Sequence, residues 1–120
     1  MVITMSNPPY TFVVDRPSTM VGDTLDASGF SLARDDGTPI IPHSVCATLA
    51  DSFGRTIYTF NADIDPVTGR VFLDNVNPED MPRVRAGVNS YAVQYIFADG
   101  YKKTFFRGKI NFQKGAPECR

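Results

Sequence analysis

The chain has 120 residues, with 12 Lys+Arg, 13 Asp+Glu, one His, two Cys and no Trp. Its length suits one hydrophobic core, and 42% apolar with 21% charged residues argues against global disorder. No apolar run approaches the roughly 18–20 residues of a membrane-spanning helix, and no basic segment followed by an apolar stretch opens the chain, so neither an integral membrane role nor a cleaved secretion signal is expected.

Glycine and proline punctuate short apolar stretches along the whole sequence, and no stretch longer than ten residues holds an i, i+3, i+4, i+7 pattern. Met1–Pro9 contains Asn7-Pro8-Pro9 and reads as an amino-terminal arm. Tyr10, Phe12 and Val14 then alternate until Arg16-Pro17, where the proline should end or loosen the strand. Leu25 and Ala27 alternate before Gly29, Phe30 and Leu32 after it. The phase slips by one residue, which reads as a bulge or bend. Asp35-Asp36-Gly37 is a turn.

Val45, Ala47 and Leu49 form the next period-two set, closed by the turn Asp51-Ser52-Phe53-Gly54, with Ile57 and Phe60 returning antiparallel. Asn61–Gly69 is polar and reads as a loop, followed by alternation at Val71 and Leu73. Asn77–Pro82, with its polar start and two prolines, predicts a one-turn helix or an irregular link. Tyr91, Val93, Tyr95 and Phe97 share one phase. Asp99-Gly100 then predicts a type I′ hairpin turn. In the return strand Thr104, Phe106, Gly108, Ile110 and Phe112 share one face, with Lys103, Phe105, Arg107 and Lys109 on the other. Seven or eight short strands over residues 10–113, between an arm (1–9) and a tail (114–120), predict a single two-sheet antiparallel β-sandwich with flexible termini.

Catalytic, cofactor and metal sites are not expected. His43 is the sole candidate base and stands in a loop without a Gly-x-Ser-x-Gly elbow, so it reads as a surface histidine. Asn61, Asp63 and Asp65 have the spacing of a calcium loop. Pro66 and Phe72, however, stand where the loop glycine and the bidentate glutamate belong. Cys46 and Cys119 with a single histidine complete no common zinc pattern and read as free thiols, a disulfide remaining the alternative.

Charge is unevenly placed. Residues 1–82 carry 4 basic and 11 acidic side chains, residues 83–120 carry 8 and 2. Basic side chains interleaved with aromatics can bind single-stranded nucleic acid, but the acidic majority of the fold would repel phosphate, so nucleic acid is not the expected partner. The opposite signs instead suit cross-strand pairs or head-to-tail contacts between copies, which close into a ring where the rotation permits. Phe105, directed outward among Lys103, Arg107 and Lys109, has the composition of an interface anchor and marks these four as candidate partner-binding residues.

A wider order of features is also present: Gly22-Asp23-Thr24, Asp36-Gly37-Thr38-Pro39-Ile40, Gly69-Arg70-Val71, Ala86-Gly87, Tyr91-Ala92-Val93-Gln94-Tyr95, Asp99-Gly100 and Gly108-Lys109-Ile110. Over residues 10–113 this order resembles the small immunoglobulin-like β-sandwich proteins of tailed bacteriophages, among them amino-terminal modules of baseplate and receptor-binding proteins. The resemblance implies a non-enzymatic virion protein, assembled in the host cytoplasm, that docks other virion proteins and copies of itself. Its place would be the tail, baseplate or fibre attachment region. A capsid decoration protein is the alternative placement, and a glycan- or nucleic-acid-binding module the alternative of a different class.

Overall fold

In the computed structural model, residues 12–34 and 36–115 are described in full and residues 2–5 as a backbone strand. Ten strands follow in chain order among these residues: β1 (Val2–Met5), β2 (Phe12–Val13), β3 (Thr19–Met20), β4 (Ser28–Arg34), β5 (Ser44–Ala50), β6 (Thr56–Thr59), β7 (Ala62–Ile64), β8 (Val71–Leu73), β9 (Gly87–Ile96) and β10 (Lys102–Gln113). They form two sheets. One has the order β1-β4-β8-β7, the other β2-β10-β9-β5-β6 with β3 also paired to β10. The protein is an all-β, two-sheet sandwich.

The β9–β10 hairpin is the spine of the larger sheet. Along β9, Asn89, Tyr91, Val93 and Tyr95 are buried while Ser90, Ala92, Gln94 and Ile96 face the other way, the period-two pattern of a strand with one covered face. β10 buries Phe106, Gly108, Ile110 and Phe112 in the same manner. The inner faces meet in an aromatic layer, where Phe30 of β4 lies 4.8 Å (ring centroids) from Phe106 of β10 and so bridges the sheets. Leu32, Val71 and Leu73 from the smaller sheet and Leu49, Val93 and Ile110 from the larger one complete this interior.

Several expectations need correction. Within the expected amino-terminal arm, residues 2–5 form β1, which lies parallel to β4, Val2 opposite Ser31 through Met5 opposite Arg34, whereas residues 1 and 6–9 lie outside the described residues. β2 and β3 likewise run parallel to β10, so the sandwich is antiparallel at its centre and parallel at these borders. Pro17 falls in the gap between β2 and β3, as a residue without an amide donor should. The phase slip around Gly29 is not a bulge. β4 pairs with β8 in unbroken register from Ser28 to Phe30, and Leu25 belongs to a separate bridge with Val76. The polar stretch Asn61–Gly69 contains a strand, β7, before its turn. The expected one-turn helix is present as a 3-10 turn over Pro78–Asp80. Tyr10 and residues 116–120, including Cys119, lie outside the described residues.

The final hairpin forms where expected but by a different turn. No non-glycine described residue has positive φ, which excludes type I′ at Asp99. Instead the Gly100 amide donates to the Phe97 carbonyl, Gly100 takes φ 89°, and the Phe97 amide donates to the Tyr101 carbonyl. This is a four-residue turn, Phe97–Gly100, whose last residue is a left-handed glycine. Asp99 accepts the Tyr101 amide on its side chain (2.9 Å), a local bond of the kind that favours Asp in turns.

Two buried tyrosines on β9 differ in one respect. The Tyr91 hydroxyl donates to the Val14 carbonyl, tying β9 to the segment that follows β2, whereas the Tyr95 hydroxyl is buried with no hydrogen-bond partner. Burial pushes the Tyr91 phenol up to about 12 despite nearby Arg16, and pushes that of Tyr95 up as well. An orphaned buried hydroxyl costs stability, whereas a satisfied one contributes about 1 kcal/mol. Tyr91→Phe is therefore expected to lower stability by about 1 kcal/mol, and Tyr95→Phe to leave it unchanged or raise it by about 1 kcal/mol. Urea unfolding midpoints of the two variants check this, and equal losses would contradict it.

Candidate functional site

The β5–β6 turn builds one wall of a groove. Asp51 accepts the amides of Phe53 (2.9 Å) and Arg55 (3.0 Å) on one carboxylate oxygen, its carbonyl accepts the Gly54 amide (3.0 Å), and Gly54 takes φ 81°. The carboxylate thus holds the turn closed, and Phe53 at its tip is left 82% exposed. Arg55 Nε donates to the other Asp51 oxygen at 3.0 Å, and its guanidinium carbon lies 5.4 Å from the Phe53 ring centroid.

The link into β9 builds the opposite wall. Met81 and Val84 are buried and pin this segment to the core, while Arg83 and Arg85 are exposed. Arg85 Nη1 donates to the carbonyls of Pro82 (3.0 Å) and Val84 (3.1 Å), which fixes its stem. β5 ends with Ala50 opposite Ser90, whereas β10 continues alongside β9 down to Gly87. The first residues of β9 therefore overhang, paired on one side only. Buried Asn89 covers part of that open side, its Nδ2 donating to the carbonyls of Gly87 (3.2 Å) and Arg85 (3.4 Å).

Between the walls lies a groove of about 400 Å³ bordered by Phe53, Arg55, Arg83, Arg85, Val88 and Asn89. A shallower depression of about 350 Å³ runs on from it past Val88 and Ser90 to Lys109. Another of about 470 Å³ lies on the outer face of the larger sheet, between Arg107, Lys109 and Val13 and the small side chains Thr48, Ala50 and Ala92. Arg55, Arg83, Arg85, Arg107 and Lys109 border these depressions, against the carboxylates of Asp51 and Asp15. Both carboxylates are engaged by the backbone, Asp15 by the Lys109 amide at 3.0 Å. The surface is cationic with apolar patches at Phe53 and Val88, a chemistry suited to binding carboxylates beside apolar side chains.

The residues singled out from sequence do not share one face. Thr104 stands opposite Gln94 and Phe106 opposite Val93, so Phe105 is the extra residue of a β-bulge. The bulge turns Phe105 inward beside Phe106. It is 3% exposed and meets Tyr95 edge-on at 5.1 Å, so the outward anchor expected there is not present. Lys103 stands opposite Tyr95 on the inner side of the strand and is partly buried, whereas Arg107 and Lys109 are exposed on the outer face. Of the four, only Lys109 reaches the second depression, which leads to the groove. The sequence reading missed the groove itself. One signal for it existed: Phe53 occupies a turn tip, where polar residues are the rule.

Other candidates settle simply. His43 is exposed, its amide donating to the Ile96 carbonyl at 2.9 Å. Asp65 accepts the amides of Val67 (2.8 Å) and Thr68 (3.3 Å) within its own turn, and among the described residues no three His, Cys, Asp or Glu side chains gather as a metal-holding group. Cys46 is a free thiol, exposed on β5. The expected cross-strand ion pairs are not found among the described residues, where the ion pair is Arg55–Asp51 within one turn.

No family model matches this chain, and neither does any curated protein. Among solved structures, CopC from Methylosinus trichosporium OB3b aligns at 12% identity and a TM-score of 0.49, over 90% of this chain and 100% of that chain.

Three turn carboxylates carry a measurable consequence. Amide donors hold Asp36 (from Thr38), Asp51 (from Arg55 and Phe53) and Asp65 (from Val67 and Thr68) below the usual carboxylate range. A carboxyl depressed in the folded state stabilises it above the unfolded pKa, near 4, and loses that effect as pH falls through the folded value. Thermal stability is expected to decline as pH is lowered below about 4. In the Asp36→Asn, Asp51→Asn, Asp65→Asn triple variant that decline should be shallower. Parallel Tm-versus-pH curves for the two proteins would contradict this account.

Proposed function

We propose that this chain is a non-enzymatic structural or adaptor protein of a tailed-bacteriophage virion that docks neighbouring tail, baseplate or fibre proteins. The observation that carries the docking part is the groove, where an aromatic side chain 82% exposed sits beside three arginines on a closed hairpin and a core-pinned link. Aromatic residues and arginine are the residue types enriched at protein interfaces, and walls fixed by turn bonds and buried anchors lose little entropy on binding. The virion placement rests on the resemblance of residues 10–113 to phage sandwich modules.

Quantitative mass spectrometry of purified particles of the encoding phage tests the proposal. The chain is expected in intact particles at a small copy number matching the symmetry of a tail ring. A copy number of capsid-lattice size would move the placement to the head exterior and overturn the tail assignment. Absence of the chain from particles would overturn the virion role altogether.

A further inference from the structure

We infer that the groove between the Asp51–Arg55 turn and the Arg83–Asn89 segment receives an extended acidic segment of a partner protein, one that carries apolar side chains between its carboxylates. This rests on the docking role proposed above and names the chemistry of the partner.

The guanidinium groups have donors to spare. Among the described residues Arg83 has no hydrogen-bond or ion-pair partner, Arg85 spends only Nη1 on carbonyls, and Arg55 spends only Nε on Asp51. A guanidinium with free donors offers a planar fork that matches a carboxylate with two parallel bonds. The one carboxylate in the groove wall, Asp51, is already occupied by two turn amides and by Arg55, so it does not neutralise Arg83 or Arg85. Phe53 and Val88, 82% and 51% exposed, add apolar surface within the same groove. An occupant that only supplied charge would leave those side chains in water.

The same observations discriminate between two kinds of polyanion. A nucleic acid presents charge along its whole length and needs a long cationic track. This chain has a net charge of −1 and keeps 11 of its acidic side chains within residues 1–82. A segment lodged in a groove of about 400 Å³ meets three arginines and a single carboxylate, Asp51, in the groove wall. Local complementarity therefore favours a short acidic protein segment.

The test is fluorescence anisotropy of the full chain with three labelled probes: a short peptide alternating Asp or Glu with Leu or Phe, the same peptide with Asn and Gln for its acids, and a thymidine oligonucleotide. The acidic peptide is expected to bind about tenfold more tightly than its neutral counterpart, and to weaken as salt is raised. Arg83→Glu, at an exposed side chain without a partner, should weaken acidic-peptide binding about tenfold while leaving the urea midpoint unchanged. Phe53→Ser should weaken it severalfold through the apolar contact. Equal binding of the acidic and neutral peptides, no binding of either, tighter binding of the oligonucleotide, or an Arg83→Glu protein that binds like the wild type would each overturn the inference. Particle incorporation separates the two levels of the account. If Arg83→Glu chains enter particles as wild-type chains do, the groove is not the docking site although the virion role stands. If wild-type chains are absent from particles, the virion role fails whatever the peptides show.

Discussion

The structure turns on the contact between Phe30 and Phe106, the point where two sheets become one body. Their centroids are 4.8 Å apart, and Phe106 is fully buried. Phe106 reaches that position because β10 spends one extra residue immediately before it. The bulge at Phe105 resets the pleat, so that two consecutive phenylalanines face the interior and each following alternate residue of β10 does the same. Past the bulge, Gly108 lets another segment approach. A Cβ there would fall against the Val14 carbonyl, so glycine is what allows the chain after β2 to lie along β10 and take the Tyr91 hydroxyl bond.

The same bulge decides which cations are available at the surface. Before it, Lys103 leans to the inner side next to Tyr95. After it, Arg107 and Lys109 stand outward over a shelf of small side chains. The arginines of the groove are placed by other means. Turn bonds to Asp51 hold Phe53 and Arg55, burial of Met81 and Val84 holds the stretch bearing Arg83 and Arg85, and Asn89 covers the overhanging start of β9. Each wall is made rigid by its own local interactions, and the groove lies where β5 ends opposite Ser90, before the first residues of β9.

Local pattern carried much of the fold. The alternation of β5, β9 and β10, the turn at Asp51–Gly54 and the 3-10 turn at Pro78 all follow from side-chain period and turn chemistry within a few residues. What was not legible depends on partners distant in sequence. Alternation says which face is buried but nothing about strand direction, so the parallel pairings of β1, β2 and β3 left no trace in the pattern. β7 is three residues long and ends just before the turn residue Asp65, too short for its period to stand out. A bulge inside a run of aromatics cannot be told from regular alternation, because Phe105 and Phe106 satisfy either phase. The groove joins residues 51–57 to residues 83–89, and only the register of β5 against β9 brings them together.

In the proposed docking role, a fixed β-sandwich meets its neighbours through the groove where β5 ends and β9 begins. Hydrogen–deuterium exchange, comparing the free chain with the chain in its purified assembly, tests this docking role. Added protection is expected to concentrate in residues 51–57 and 83–89, with the β9–β10 core amides already slow in both states. Unchanged exchange in those two segments, with new protection confined to other surfaces, would contradict it.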